Sequence, residues 1–484
     1  MNISHLNVGI IHSLIGKNDG VSIVIDQTIN AMVKDIGINL GNIFFLAAHS
    51  SPRFNAETDD VFWHKNEVNK AVLQYFSDPN PPEDLDDTIH EYSMYAKEVI
   101  KKFINTHSID LIIAHNTSHP YNFITAVGLG YLIEELRSEG IIWPKLMVWW
   151  HDSYFERERF KTPNKVIKKY LKYLPGTYID GIAFINNGQP ELAKKLFTEY
   201  GAHIKDKFFQ ERAIVVPNTS DIPWEWHEKD WKNGDLIYPP QDSYNDSLFH
   251  DIGLEAEVRR RGFTMNDTIV LLQHTRVVPR KKIELAIDYA FAIEERFKKD
   301  NKKKCIALLV SGHSGDEQVE YKKFLIDYYQ LQMEYRKDAH VVLIFGESHI
   351  LSHRDIIVDK KYYKFAEIPS VVAAYGGLGT YFSEVEGYGN NLLEMISFGL
   401  PAVINRYEVY KTDIEQLGFN LPFTDDCILT DELVDRGYEI LTNNKVRNEI
   451  VLHNLKVLRE NLDHKIIADM LKPLIGKMFT RILT

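Results

Sequence analysis

Short apolar runs alternate with longer amphipathic stretches along this chain of 484 residues. In the first half, Asn7–Ser13, Asn42–His49, Asp110–Asn116, Leu146–Asp152, Tyr178–Asn187 and Arg212–Asn218 have the length of buried strands, and Gly, Asn, Asp or Pro bounds each. Val21–Ile36, Glu91–Thr106, Tyr121–Ser138 and Pro190–Tyr200 carry apolar residues at helical spacing. The rhythm restarts after residue 251. Strands are predicted at Thr268–His274, Cys305–Gly312, Val341–Gly346, Thr380–Ser383 and Pro401–Asn405, with helices near Lys282–Lys298, Asp316–Arg336 and Asn391–Phe398. Strands alternating with helices predict an α/β protein of two doubly wound, Rossmann-like domains, each sheet parallel and covered on both faces.

Two segments interrupt the alternation. Ser50–Asp87, rich in Pro, Asp and Asn, is expected to leave the sheet. Ser220–Asp251 holds Pro223, Pro239 and Pro240 with Trp224, Trp226 and Trp231, and marks the domain junction. The expected domains are therefore 1–235 and 236–465. A last helical stretch, Ile466–Leu483, would pack back on the first domain as a segment spanning 466–484. Two such domains facing each other would enclose a cleft, with ligands at the carboxyl ends of the strands.

Composition narrows the function. With 44% hydrophobic and 26% charged residues, disorder is excluded as the main state. The formal charge of −12 argues against a nucleic-acid partner. Two cysteines, Cys305 and Cys427, cannot build a disulfide framework, and a reducing cytoplasmic setting suits them. His5, Asn7 and His12 break the first apolar stretch, so no signal peptide is expected. The most apolar segments, Ile141–Trp150 and Cys305–Val310, fall well short of the ~20 residues of a membrane helix. A soluble protein without a transmembrane segment is the expectation.

Four strand-end segments carry candidate chemistry. In Ser383–Glu394 (SEVEGYGNNLLE), Glu386 and Glu394 are seven residues apart, across a Gly-rich turn that opens a helix. Gly387 and Gly389 let backbone N–H groups approach a ligand, and a helix N-terminus favours an anion. Two carboxylates beside such a turn suit a polyol joined to a phosphate; a plain turn with a capping glutamate is the blander reading. His274–Lys281 places Arg276 and Lys281 five positions apart before a helix, where cations oppose the dipole unless an anion binds. Trp149–Asp152 ends a strand with His151 and Asp152, and His151 can bind a hydroxyl or relay a proton. Gly16–Ser22 is a glycine-bearing turn into a helix, without the G-x-G-x-x-G spacing of a dinucleotide site.

Glu386–Pro401 (EGYGNNLLEMISFGLP) resembles the E-x7-E signature of retaining glycosyltransferases of family four, which have the two-domain GT-B fold. Arg276 and Lys281 stand at the spacing of that family's donor-phosphate pair. His151–Asp152 matches its His-Asp motif, Gly20 its N-terminal glycine loop, and Val216–Asn218 its end-of-domain signature. The resemblance covers nearly the whole chain in the right order. It implies that Glu386 meets donor hexose hydroxyls and that Glu394 binds the nucleotide ribose. Backbone around Gly387, Tyr388, Gly389, Asn390 and Asn391 would reach hexose and diphosphate, with Arg276 and Lys281 stabilising the departing diphosphate. His151 would contact the donor sugar, Gly20 would line the donor site, and Gly312 and Gly346–Ser348 would lie near the nucleotide.

The resemblance further implies a metal-independent hexosyltransferase without a cofactor, using a UDP- or GDP-hexose, with glucose or mannose favoured. The acceptor side would include His115, Asn116, Asp152 and Tyr154, with Arg157 nearby, and would take a small polar acceptor such as a sugar, sugar phosphate or glycerate derivative. A nucleotide-sugar epimerase of the same fold and a silent sugar-nucleotide-binding protein are the alternatives. This chain departs from the family pattern at Asp19–Gly20, at Lys282 where glycine is usual, and at Asn405–Asp413, expected as a polar wall of the cleft. Asp84–Asp87 imitates a metal-binding D-x-D motif but reads as a capped helix start. The basic helix expected at 164–173 could touch an anionic membrane, though a solvated face explains it better.

Overall fold

A computed structural model describes residues 3–16, 20–174, 176, 178–199, 206–222, 236, 238, 242–313 and 319–480. The chain divides into two compact units, one of residues 1–218 with 464–484 and one of residues 219–463. The expected boundary at 235/236, the three junction tryptophans and Pro223, Pro239 and Pro240 lie outside the described residues.

The first unit is built on a seven-stranded sheet: β1 (Val8–Ile11), β2 (Ile43–Ala47), β3 (Glu57–Thr58), β4 (Leu111–His115), β5 (Lys145–Trp150), β6 (Gly181–Phe184) and β7 (Ala213–Val215). Their order is β3-β2-β1-β4-β5-β6-β7, and every neighbouring pair is parallel. β1 and β4 are buried throughout, which explains why they read as continuous apolar runs rather than alternating ones. Helices α1 (Gly20–Ala31), α2 (Leu85–His107) and α3 (Phe123–Ser138) fall between strands, as the periodicity predicts.

Residues 50–87 do not wholly leave the sheet. They return β3 as an edge strand of two exposed residues, too short and polar to register as an apolar run, and add a helix at Glu67–Tyr75. α2 starts at Leu85, and the Asp84 side chain makes no cap bond. Instead Asp86 accepts a hydrogen bond of 2.7 Å from the Tyr170 hydroxyl and pairs with Lys169. The basic segment forms 3₁₀ turns at Ile167–Tyr173 with Ile167, Tyr170, Leu171 and Tyr173 buried. Its Lys169 and Lys172 answer Asp86 and Glu134, so these charges complete intramolecular pairs.

In the second unit six strands, β8 (Thr268–Gln273), β9 (Cys305–Val310), β10 (Val341–Phe345), β11 (Leu378–Tyr381), β12 (Ala402–Asn405) and β13 (Phe423–Thr424), lie in the order β10-β9-β8-β11-β12-β13. All neighbours are again parallel. Helices α4 (Ile283–Lys299), α5 (Val319–Tyr335) and α6 (Asn390–Ser397) fall between strands. Both sheets reverse direction beside their first strand, between β1 and β4 and between β8 and β11. Those two positions are where doubly wound sheets bind ligands.

A small three-stranded sheet (Ile350–Leu351, Asp355–Ile357, Lys360–Lys364) and helices Asp431–Thr442 and Asn444–Asn461 escape the periodicity. Thr430 and Asn443 accept N–H groups of the following first turns, as helix-start residues do.

The last helix, α7 (Lys465–Phe479), joins the first unit. Its Ile467, Ala468, Leu471, Leu474, Ile475 and Met478 share a core cluster with Val8, Ile10 and Ala183. Among the described residues, no helix is long and apolar enough to cross a membrane. Leu471 is fully buried there, so Leu471→Ala is expected to destabilise the first unit by about 2–5 kcal/mol, read as a lower urea midpoint.

Candidate active site

The switch point of the second unit gathers most of the predicted donor residues. Gln273, the last residue of β8, is the brace. Its amide donates to Thr275 Oγ1 at 2.9 Å and its carbonyl accepts from Thr380 Oγ1 on β11 at 2.7 Å. The loop after β8 is then pressed against Gly312 at the end of β9. A Cβ at 312 would lie 1.9 Å from the Thr275 carbonyl oxygen, so this position requires glycine. Arg276 is exposed on that loop, whereas Lys281 ends a single 3₁₀ turn, Pro279–Lys281, and is buried. Lys282 then takes a left-handed conformation (φ +48°) to open α4, which gives the reason a glycine is usual there. Its amine compensates in part by pairing with Glu384 at 3.1 Å.

Lys281 points at Glu386. The two form a buried ion pair, and Arg280 Nη1 and the Tyr381 hydroxyl approach the same carboxylate at 3.0 and 2.7 Å. Burial by itself would raise the Glu386 pKa, but the charges of Lys281 and Arg280 outweigh it and hold the carboxyl down at about 2. Burial lowers Lys281, only partly opposed by Glu386, to about 8. Both groups are charged at neutral pH.

Glu394, the second glutamate, lies on the first turns of α6. His274 Nε2 meets its Oε2 at 2.8 Å, while His274 Nδ1 sits 2.8 Å from Ser311 Oγ. The imidazole is fully buried and stacks on Phe365, with ring centroids 4.0 Å apart. Asn391 Nδ2 donates to the His274 carbonyl at 2.7 Å, so loop and helix are tied twice. Gly389 (φ +125°) precedes the helix, and a Cβ there would meet the Tyr407 hydroxyl at 2.2 Å. The N-cap residue Gly389 makes no side-chain capping bond, and a helix N-terminus turns positive potential toward an anion. Tyr388 turns its ring into the core, so only its backbone can serve a ligand. Gly387 is exposed and Asn390 and Asn391 half-buried at this edge; Gly346 starts the turn after β10.

Asn405–Asp413 is not a polar wall. Asn405 is buried, donates to the Ser383 carbonyl at 3.0 Å and accepts from Cys427 N–H at 2.9 Å. Tyr407 and Tyr410 are core residues, and Arg406 is held by Glu415 and Asp425. The segment braces the glutamate loop from behind.

In the first unit the corresponding switch point holds a histidine cluster. His12 Nδ1 donates to the His115 carbonyl at 3.2 Å, and His115 Nδ1 lies 3.1 Å from His151 Nε2. Burial, with neighbouring histidine charge secondary, presses His115 well down and His151 to about 3. Both imidazoles are neutral at physiological pH, so His151 suits hydrogen bonding far better than proton relay. His115 is wholly buried and supports His151 from beneath rather than facing a ligand. Asn116 Oδ1 accepts from Asp152 N–H at 3.1 Å, and Asp152 pairs with Arg157. Tyr154 packs in the core against Phe76 and Phe155 and is not on the ligand side. Gly20 is the exposed first residue of α1, while residues 17–19 of its loop lie outside the described residues.

Sequence reasoning overlooked Arg280, His274, Ser311, Phe365 and Tyr381. The first two stood within a segment singled out for its cations; only contact with the glutamates reveals their role. Among the described residues, no group of three or more His, Cys, Asp or Glu side chains is arranged to hold a metal.

No family model matches the chain. It is similar to the mannosylglucosylglycerate synthase of Petrotoga mobilis, 25% identical over 442 residues that cover 86% of each chain. Similarity to the mannosylglucosylglycerate synthase of Thermotoga maritima is 30% over 329 residues, 65% of this chain and 63% of that one. The fold matches Anabaena Alr3699/HepE, solved in complex with UDP and glucose, with a TM-score of 0.56 at 13% identity across 98% of this chain and all of that one. The chain is a glycosyltransferase of the GT-B fold.

For this glycosyltransferase, the Lys281 proton is lost near the working range. Turnover is expected to fall as pH rises through about 8, where the buried amine becomes neutral, and Lys281→Arg is expected to move that alkaline limb upward in a kcat/KM profile. His274→Gln loses the stacked imidazole that fixes Glu394. Titration with UDP or GDP should show binding weakened about tenfold, the scale of one hydrogen bond to a charged group.

Proposed function

We propose that this glycosyltransferase moves a hexose from a UDP- or GDP-sugar to a small polar glycoside acceptor, with retention of anomeric configuration. One observation carries the reading. Glu386 is kept ionised by Lys281 and Arg280, beside the N-terminus of α6 and the His274-oriented Glu394. Such a site offers carboxylates to hydroxyls and positive potential to a diphosphate within one loop cluster.

Glu386 would hold the hexose hydroxyls and Glu394 the ribose, with the base near Gly312 and Gly346. Lys281, Arg276 and the α6 amides would take up charge as the bond from the anomeric carbon to the phosphate oxygen breaks. The acceptor oxygen bonds to the same face of the sugar, and its proton passes to the departing diphosphate. In this reading His151 contacts the donor sugar, and Asn116 and Asp152 belong to the acceptor side. The relatives named mannosylglucosylglycerate synthase favour a glucosylglycerate-like acceptor.

The test is nucleoside diphosphate release from a panel of nucleotide sugars, with and without glucosylglycerate and related small acceptors. Release from one donor that depends on acceptor, and falls about 10²–10³-fold in Glu386→Gln, is expected. Release indifferent to every acceptor would replace the transferase with an epimerase or hydrolase, and binding without turnover would leave a silent binding protein.

A further inference from the structure

A buried phenol lies under the turn that opens α6. Tyr407 stands two residues past β12, in the stretch where the chain departs from the family pattern. Its hydroxyl donates to the Tyr388 carbonyl at 2.7 Å. Burying a hydroxyl is costly unless it is hydrogen-bonded, and a phenylalanine would fill the same space without that cost. The bond to the loop, rather than the ring, is what distinguishes tyrosine at this position.

Tyr381 lies alongside, with ring centroids 6.1 Å apart, and donates its own hydroxyl to Glu386 at 2.7 Å. One phenol thus holds the glutamate, and its neighbour holds the backbone two residues further on. Gly389 follows directly, and a Cβ there would run into the Tyr407 hydroxyl, so the phenol touches the turn as well as bonding to it. Asn405, at the end of β12, donates to the Ser383 carbonyl at 3.0 Å and fixes the other end of the same loop. Burial, with the charge of Glu386 next, pushes the Tyr407 phenol well above its ordinary range, so it stays a donor at every working pH.

The consequence is directional. The peptide between residues 388 and 389 is planar and trans, so its C=O and N–H point in opposite senses. With the carbonyl turned down onto Tyr407, the Gly389 N–H is turned away from the core. A backbone donor aimed in advance stabilises an anion better than one that must first reorient. We propose that Tyr407 is a positioning residue of the donor site, its hydrogen bond to the Tyr388 carbonyl aiming the Gly389 N–H at the donor diphosphate. The inference rests on the transferase reading, which supplies that diphosphate, and adds to it a residue that itself touches no ligand.

The test is calorimetric titration of the full chain with UDP and with GDP, alongside turnover of the donor panel. Tyr407→Phe is expected to bind the preferred nucleotide about tenfold more weakly, with the acceptor KM within about twofold of wild type. Tyr410→Phe removes a hydroxyl from the same core cluster, its ring centroid 5.9 Å from that of Tyr407, and should leave nucleotide affinity unchanged. Both variants keep the ring and are expected to melt within a few degrees of wild type. Equal weakening in the two variants, or wild-type affinity in Tyr407→Phe, overturns the assignment, as does a wild type that binds neither nucleotide. A rise of the acceptor KM in step with the nucleotide loss marks a general disturbance and also overturns it. If the wild type turns over no nucleotide sugar but Tyr407→Phe still weakens nucleotide binding, the positioning role stands and the transferase reading falls. Acceptor-dependent turnover with equal nucleotide affinity in wild type and Tyr407→Phe does the reverse.

Discussion

The buried Lys281–Glu386 pair is the constraint around which the second unit is arranged. Taking two charges from water is costly, and the cost is met only when geometry is good and the remaining valences are satisfied. Arg280 and Tyr381 supply those contacts to the carboxylate. Because Lys281 follows β8 and Glu386 follows β11, the pair stitches together the two loops on either side of the switch point. Removing one partner would strand the other charge, a loss of about 3–5 kcal/mol in comparable buried pairs. Stability and chemistry are thus drawn from the same atoms.

Support for that pair comes in concentric order. Gln273 ties the strands beneath it, Gly312 admits the neighbouring loop, and Asn405 holds Ser383 from behind. His274 does for Glu394 what Arg280 does for Glu386. The first unit works differently: its switch point is filled by neutral histidines that hydrogen-bond one another, with the charge displaced to Asp152 and Arg157. One unit presents fixed charge and the other neutral polar groups.

Much of this was legible in the sequence, for identifiable reasons. Parallel strands buried on both faces leave long apolar runs, so β1, β4, β8 and β9 were visible from pattern alone. The glutamate turn was visible because its glycines and carboxylates are close in sequence. What the pattern could not show is pairing across the sheet. Arg280 and His274 acquire meaning only beside residues more than a hundred positions away. His115 and Tyr154 misled for the complementary reason: a polar residue at a strand end reads as ligand-facing until burial places it beneath its neighbours. Asn405–Asp413 read as a polar surface because its core tyrosines and its bracing asparagine are spaced like a loop.

The helix α7 has a consequence for how the molecule is made. The sheet of the first unit is complete in sequence by residue 215, yet part of its core is supplied from residues 467–478. A nascent chain therefore emerges from the ribosome with its first sheet only partly covered on that face, by α1, until the second unit has also been synthesised. Domains generally fold as units, N-terminal first. Here the order is inverted: the second unit, continuous in sequence, has all its parts while the first still waits for its last helix.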